Sequence, residues 1–166
     1  MATSETKHTF NPEFMKRAIE LSRIGSLEKK TGGVYGAVIV KGEKIISEGY
    51  NQVVARNDPT WHAEMQAIRE ASAALGSPHL QGCIMYTSSE CCPMCFSAGY
   101  WSKLDHIFYA STTEDSLIYG NFADSDIYNE LKKSPEDRLL TSSEKMREEA
   151  VVVWKEYAKM TDRVHY

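Results

Sequence analysis

The sequence predicts an α/β layered fold with a mixed sheet. Three observations carry that expectation: strand-like and helix-like segments alternate along the chain, one strand pair is joined as a hairpin, and no repeat or linker divides the whole. At 166 residues the chain can bury roughly two-thirds of its unfolded surface in one core without disulfide staples. Hydrophobic residues at 42% and charged residues at 25% exclude disorder, coiled coil and collagen. A single domain over residues 1–166 is therefore expected.

Asn11 and Pro12 read as the N-cap and first residue of a helix on which Phe14, Ala18, Leu21 and Gly25 follow at helical spacing. The apolar runs 35–40 and 45–48, joined through Lys41-Gly-Glu-Lys44, form an antiparallel hairpin. Asp58-Pro59-Thr60 opens a second helix with Ala63, Ala67, Ile68, Ala71 and Leu75 on its apolar face, ended by Gly76 and Pro78. Residues 83–87 make a strand. A helix of small residues then runs through Ala98 and Trp101, and 107–110 is the last strand. The order is α-β-β-α-β-α-β. Near the C-terminus a long amphipathic helix is expected from Ser142 or Ser143, with Met146, Ala150, Val153, Tyr157 and Met160 as its stripe.

Composition also narrows the function. Nineteen basic against twenty-three acidic side chains give a net charge of −4 with no basic cluster, which disfavours a nucleic-acid partner. No apolar stretch approaches the twenty or so residues of a membrane span, and the opening MATSETKHTF lacks the apolar core of a secretory signal. A cytoplasmic protein without membrane partners is the expectation. Of four cysteines, Cys83 sits among apolar strand residues, whereas Cys91, Cys92 and Cys95 crowd into five positions. In a chain without a signal this favours metal or redox chemistry over disulfides.

Two short pieces carry that chemistry. Cys92-Pro93-Met94-Cys95 falls where a helix leaves its strand, so both sulfurs share one side and the helix N-terminus favours thiolates. His62-Ala63-Glu64 lies about thirty residues earlier and supplies a third metal ligand, leaving one tetrahedral position of a zinc ion open, as in catalytic sites. Glu64, two residues beyond the histidine, is placed to shuttle protons without binding the metal. Two other readings stay open at this point: a structural zinc site with Cys91 as fourth ligand, and a Cys-x-x-Cys redox pair.

His-x-Glu followed by a Cys-x-x-Cys pair is the signature of zinc-dependent base deaminases. The stretch from Gly32 to Tyr128 resembles the guanine deaminases of the cytidine deaminase superfamily. The matching residues are Gly32-Gly-Val-Tyr-Gly-Ala-Val-Ile-Val40, Asn51, Asn57-Asp-Pro-Thr-Trp-His-Ala-Glu64, Tyr86-Thr-Ser-Ser-Glu-Cys-Cys-Pro-Met-Cys95 and Phe122-Ala-Asp-Ser-Asp-Ile-Tyr128. Cys91 stands where that family has a proline, and Val34-Tyr35 where it has Pro-Phe.

The resemblance implies a three-layer α/β/α cytidine deaminase-like fold around a mixed central sheet. It implies one Zn2+ per chain held by His62, Cys92 and Cys95, with Glu64 as the catalytic proton shuttle. Tyr35 would lie beside a purine, Asn51 would hydrogen-bond it, and Ala63 and Trp101 would complete the pocket wall. Asp124 would read guanine's N1–H and N2–H donors, for which an acceptor-only carboxylate is suited. A C-terminal segment from about residue 125 would be swapped within a homodimer, bringing Tyr166 to close the neighbouring pocket. The expected reaction is hydrolysis of guanine to xanthine and ammonia. The alternatives are deamination of guanosine, cytidine, transfer RNA adenosine or an aminotriazine such as ammeline, and a non-catalytic zinc or redox module.

Overall fold

The computed structural model describes residues 8–164, which form two compact units divided between Ser125 and Asp126. The first unit is built on a four-stranded sheet of order β2-β1-β3-β4: β1 (Gly36–Lys41), β2 (Lys44–Tyr50), β3 (Cys83–Ser89) and β4 (His106–Ser111). β1 pairs antiparallel with both β2 and β3, while β4 lies parallel to β3, so the sheet is mixed as expected. Successive residues of β1 point to opposite faces. Val38 and Val40 join Tyr86 of β3 against Met15, Ala18 and Leu21 of α1 (Pro12–Arg23). Ala37 and Ile39 join Cys83 and Met85 against Ala63, Ala67 and Ala71 of α3 (Ala63–Leu75), with Cys95 of α4 (Pro93–Trp101) in the same cluster. A strand buried on both faces reads as a continuous apolar run, which is what residues 37–40 are.

Local signals set most boundaries. Asn11 caps α1, its side chain accepting from the Glu13 amide at 3.0 Å. A π-helical turn, Ile24–Glu28, extends that helix, and Gly25 in it passes so close to the Tyr50 ring that a β-carbon would lie 2.8 Å from it. α3 ends at Gly76 in the left-handed region. It begins at Ala63, not at Asp58: Asp58 instead accepts from the Thr60 amide at 2.7 Å, a local turn that competes with helix. The short α2 (Val53–Arg56) precedes it and shows no apolar period that would have marked it.

β3 runs two residues beyond the expected strand and so delivers the chain directly to the cysteines. α5 (Thr113–Gly120) was not anticipated, although Thr112 and Asp115 form a reciprocal capping box at its start. α6 (Asp124–Leu131) begins at the last residues of the first unit.

The second unit holds a 3-10 turn, Pro135–Asp137, and α7 (Arg147–Lys159). α7 starts at Arg147, five residues after Ser142 and four after Ser143, because Met146 adopts the left-handed conformation. No residue of α7 is buried, and Val152, Val153 and Trp154 are exposed. Among the described residues no helix is long and apolar enough to cross a membrane.

Candidate active site

His62 is the residue before the first turn of α3, and Cys92 caps the start of α4, with Cys95 one turn on. The sheet brings these two helix starts to one end of the first unit. His62 Nδ1 lies 3.6 Å from Cys92 Sγ and 3.5 Å from Cys95 Sγ, and the three donor atoms all fall within 4.8 Å of one another. A tetrahedral zinc with Zn–S about 2.3 Å and Zn–N about 2.05 Å separates its sulfur and nitrogen ligands by about 3.5 to 3.6 Å. The donor set therefore fits zinc in chemistry and in spacing.

The charges are arranged for a cation. Cys92 is held as a thiolate, its pKa lowered to about 4, chiefly because the Cys95 thiol hydrogen-bonds it, helped by His62 and by the Cys95 amide and opposed by burial. The same contact with Cys92 keeps Cys95 protonated without metal, and burial adds to this. His62 is pushed up mainly by its hydrogen bond to Cys92. Cys91 is buried and its thiol is shifted up by desolvation. It is not among the clustered metal-ligand atoms.

Glu64 lies on the first turn of α3 and is only 2% exposed. Its Oε2 is 3.5 Å from Cys95 Sγ, and its Oε1 accepts from the Thr87 hydroxyl at 3.1 Å. Burial raises its affinity for a proton, opposed by the neighbouring His62. A buried carboxyl group with a raised proton affinity next to a metal-ligand set is suited to acid/base work.

These groups form the floor of a cavity of about 260 Å³. Tyr35 and His62 face each other across it with rings within 9° of parallel and centroids 6.5 Å apart. Phe122 meets Tyr35 edge-on at 5.5 Å, and burial pushes the Tyr35 hydroxyl up to about 12. Asn51 lies buried on the wall, its Oδ1 accepting from the Gly33 and Val53 amides at 3.2 Å each, which fixes the side-chain amide. Gly32 is required there, because a β-carbon would lie 1.9 Å from Asn51 Oδ1. Asp124 also lines the cavity, and burial with the nearby Cys92 charge raises its pKa.

Six of the expected residues thus gather at one cavity: Tyr35, Asn51, His62, Glu64, Cys92 and Asp124. Cys95 lies buried beneath it, and Ala63 is buried in the core beside the cluster. Trp101 lies at the end of α4, 64% exposed, and is not among the described residues that line the cavity. Tyr166 lies outside the described residues. Sequence reasoning gave no role to Thr87, Glu90 or Phe122. Thr87 reads only as a strand residue, whereas Phe122, two positions before Asp124, was within reach of the same argument.

The fold and this site define a zinc-dependent nucleobase or nucleoside deaminase. Residues 8–111 match the cytidine and deoxycytidylate deaminase zinc-binding region, and the chain belongs to that family. It is 48% identical over 127 residues to the guanine deaminase of Bacillus subtilis, covering 76% of this chain and 80% of that protein. The crystal structure of the Bacillus subtilis guanine deaminase superposes with a TM-score of 0.90 at 40% identity, over 95% of this chain and 99% of that one. A tRNA-specific adenosine deaminase from Aquifex aeolicus is 42% identical over 76 residues, 46% of this chain and 50% of that protein.

Proposed function

We propose that this protein hydrolyses guanine to xanthine and ammonia, with His62, Cys92 and Cys95 holding zinc and Glu64 moving the protons. The observation that carries this reading is the juxtaposition of the three metal-ligand atoms, the buried Glu64 and a cavity lined by the near-parallel rings of Tyr35 and His62. Similarity to the Bacillus subtilis guanine deaminase over most of both chains supports guanine as the base. Zinc, when bound, supplies the Lewis acidity that makes water a competent nucleophile at neutral pH. Glu64 accepts the proton that water gives up, holds it against ring nitrogen N3 as C2 is attacked, and passes it to the departing amine. Tyr35 and His62 keep the ring flat between them. Asn51 offers its Nδ2–H to the base, and Asp124 accepts from the N1–H and N2–H edge.

The same reading includes a homodimer in which a C-terminal segment from about residue 125 to 166 is exchanged and Tyr166 closes the partner's slot, with Trp101 completing the wall. The exposure of Leu139, Leu140, Val152, Val153 and Trp154 supports a partner surface for that unit.

Ammonia release from guanine, adenine, cytosine and cytidine tests the reaction. Guanine is expected to be the preferred substrate of these four, and Glu64→Gln to lower its turnover by a factor of about a hundred to ten thousand while zinc stays bound. Turnover of cytidine without guanine would overturn the substrate, and near wild-type turnover in Glu64→Gln would overturn the mechanism.

A further inference from the structure

Thr87 is a polar residue in a setting that asks for an apolar one. It is fully buried on β3, in register with Ala37 of β1 on one side and Tyr109 of β4 on the other, so its backbone is held between two neighbouring strands. Valine has nearly the same shape, suits a buried strand, and carries no hydroxyl that burial would penalise. The hydroxyl is therefore the feature to explain.

It meets two acceptors. Thr87 Oγ1 lies 3.1 Å from Glu64 Oε1 and 3.0 Å from the carbonyl oxygen of Ser89. The two oxygens of Glu64 thus have separate surroundings: Oε1 is bound to Thr87, and Oε2 lies on the side of the metal-ligand sulfurs, 3.5 Å from Cys95 Sγ. The carboxyl also meets the Glu64 amide, which belongs to its own helix. Thr87 is the contact that ties it to the sheet.

That tie matters because Glu64 extends a long, flexible side chain from the first turn of α3. A catalytic group works only when its own rotamer is locked by neighbours, and a displacement of about 1 Å costs about a hundredfold in rate. We propose that Thr87 is a positioning residue: its hydroxyl pins Glu64 Oε1 to an inner strand, stops the carboxyl from rotating, and leaves Oε2 as the oxygen that exchanges protons with water and base. The proposal rests on Glu64 as the proton carrier and deepens that reading by naming the working oxygen and what fixes it.

The test compares Thr87→Val, which removes the hydroxyl at nearly constant volume, with Thr87→Ser, which keeps the hydroxyl and removes the methyl. Ammonia release is followed with whichever of guanine, adenine, cytosine and cytidine the wild-type protein turns over, and bound zinc and the melting curve are measured on each variant. In Thr87→Val, kcat is expected to fall about ten- to a hundredfold with KM within about twofold and zinc content unchanged, while Thr87→Ser stays within about threefold of wild type. In a Glu64→Gln background, Thr87→Val should cost nothing more, because the group it positions is gone. A kcat within twofold of wild type in Thr87→Val, a change confined to KM, or the same loss in both backgrounds would overturn the proposal. Loss of zinc from Thr87→Val would assign the hydroxyl to the cysteine loop through the Ser89 carbonyl and also overturn it. Should Thr87→Val fail to fold, Thr87→Ala read against Thr87→Ser differs by the hydroxyl alone and carries the same expectation. Wild-type turnover in Glu64→Gln would remove the proton-carrier reading itself, whereas loss there with unchanged turnover in Thr87→Val would remove only the role of Thr87.

Discussion

At the scale of single residues, two adjacent cysteines have opposite fates because of where the backbone places them. Cys92 stands at the N-cap of α4, where the Cys95 thiol one turn on, with His62, stabilises its thiolate, whereas Cys91 one residue earlier is shifted up by burial and its thiol is disfavoured from ionising. Cys92→Ser and Cys95→Ser are expected to lose bound zinc and activity together, and Cys91→Ser to keep both, as read by metal content on purified protein. Zinc retained in Cys92→Ser but lost in Cys91→Ser would assign the wrong sulfur. The ligand positions were legible in the sequence because metal chemistry needs particular residue types at short spacings. Thr87 was not, because its contact with Glu64 crosses from β3 to α3 and leaves no local pattern.

At the scale of elements, the site depends on how closely α3 lies against the hairpin. Gly49 of β2 permits this: a β-carbon there would lie 2.1 Å from the Ala63 carbonyl oxygen and 3.0 Å from the Ala67 amide. Gly49→Ala must push the start of α3 off the sheet, carrying His62 and Glu64 with it. We expect a loss of about 2 to 3 kcal/mol, a melting temperature lower by about 5 to 10 °C, and weaker zinc retention. An unshifted melting curve would mean that the helix start adjusts freely. Strands and long helices were readable from apolar period, since the two-sided burial of β1 and the apolar face of α3 write themselves into composition. α2 and α5 were not, being short segments whose ends are set by caps and left-handed residues such as Asn57 and Asn121. The start of α3 was misplaced for the same reason, an Asp58 turn that resembles a helix cap.

At the scale of the whole molecule, the second unit is long on apolar surface and short of a core. The swapped-tail reading can be tested by mixing two inactive chains, one lacking Tyr166 and one carrying Glu64→Gln, and refolding them together. Part of the activity should return, because one pocket of a mixed dimer receives an intact tail beside an intact Glu64. No recovery in a preparation shown to contain mixed dimers would mean that each tail closes its own pocket or none. The amphipathic stripe of α7 was legible, but its starting point was not, since only the backbone turn at Met146 sets it.

The three metal-ligand atoms sit at the beginnings of two separate helices, α3 and α4. An ion shared between them ties together segments thirty residues apart in sequence, so occupancy is linked to the folding equilibrium by mass action. Each tenfold excess of free metal over its dissociation constant adds about 1.4 kcal/mol to the native state. The supply of zinc in the surroundings thereby sets the stability of the native state as well as the turnover.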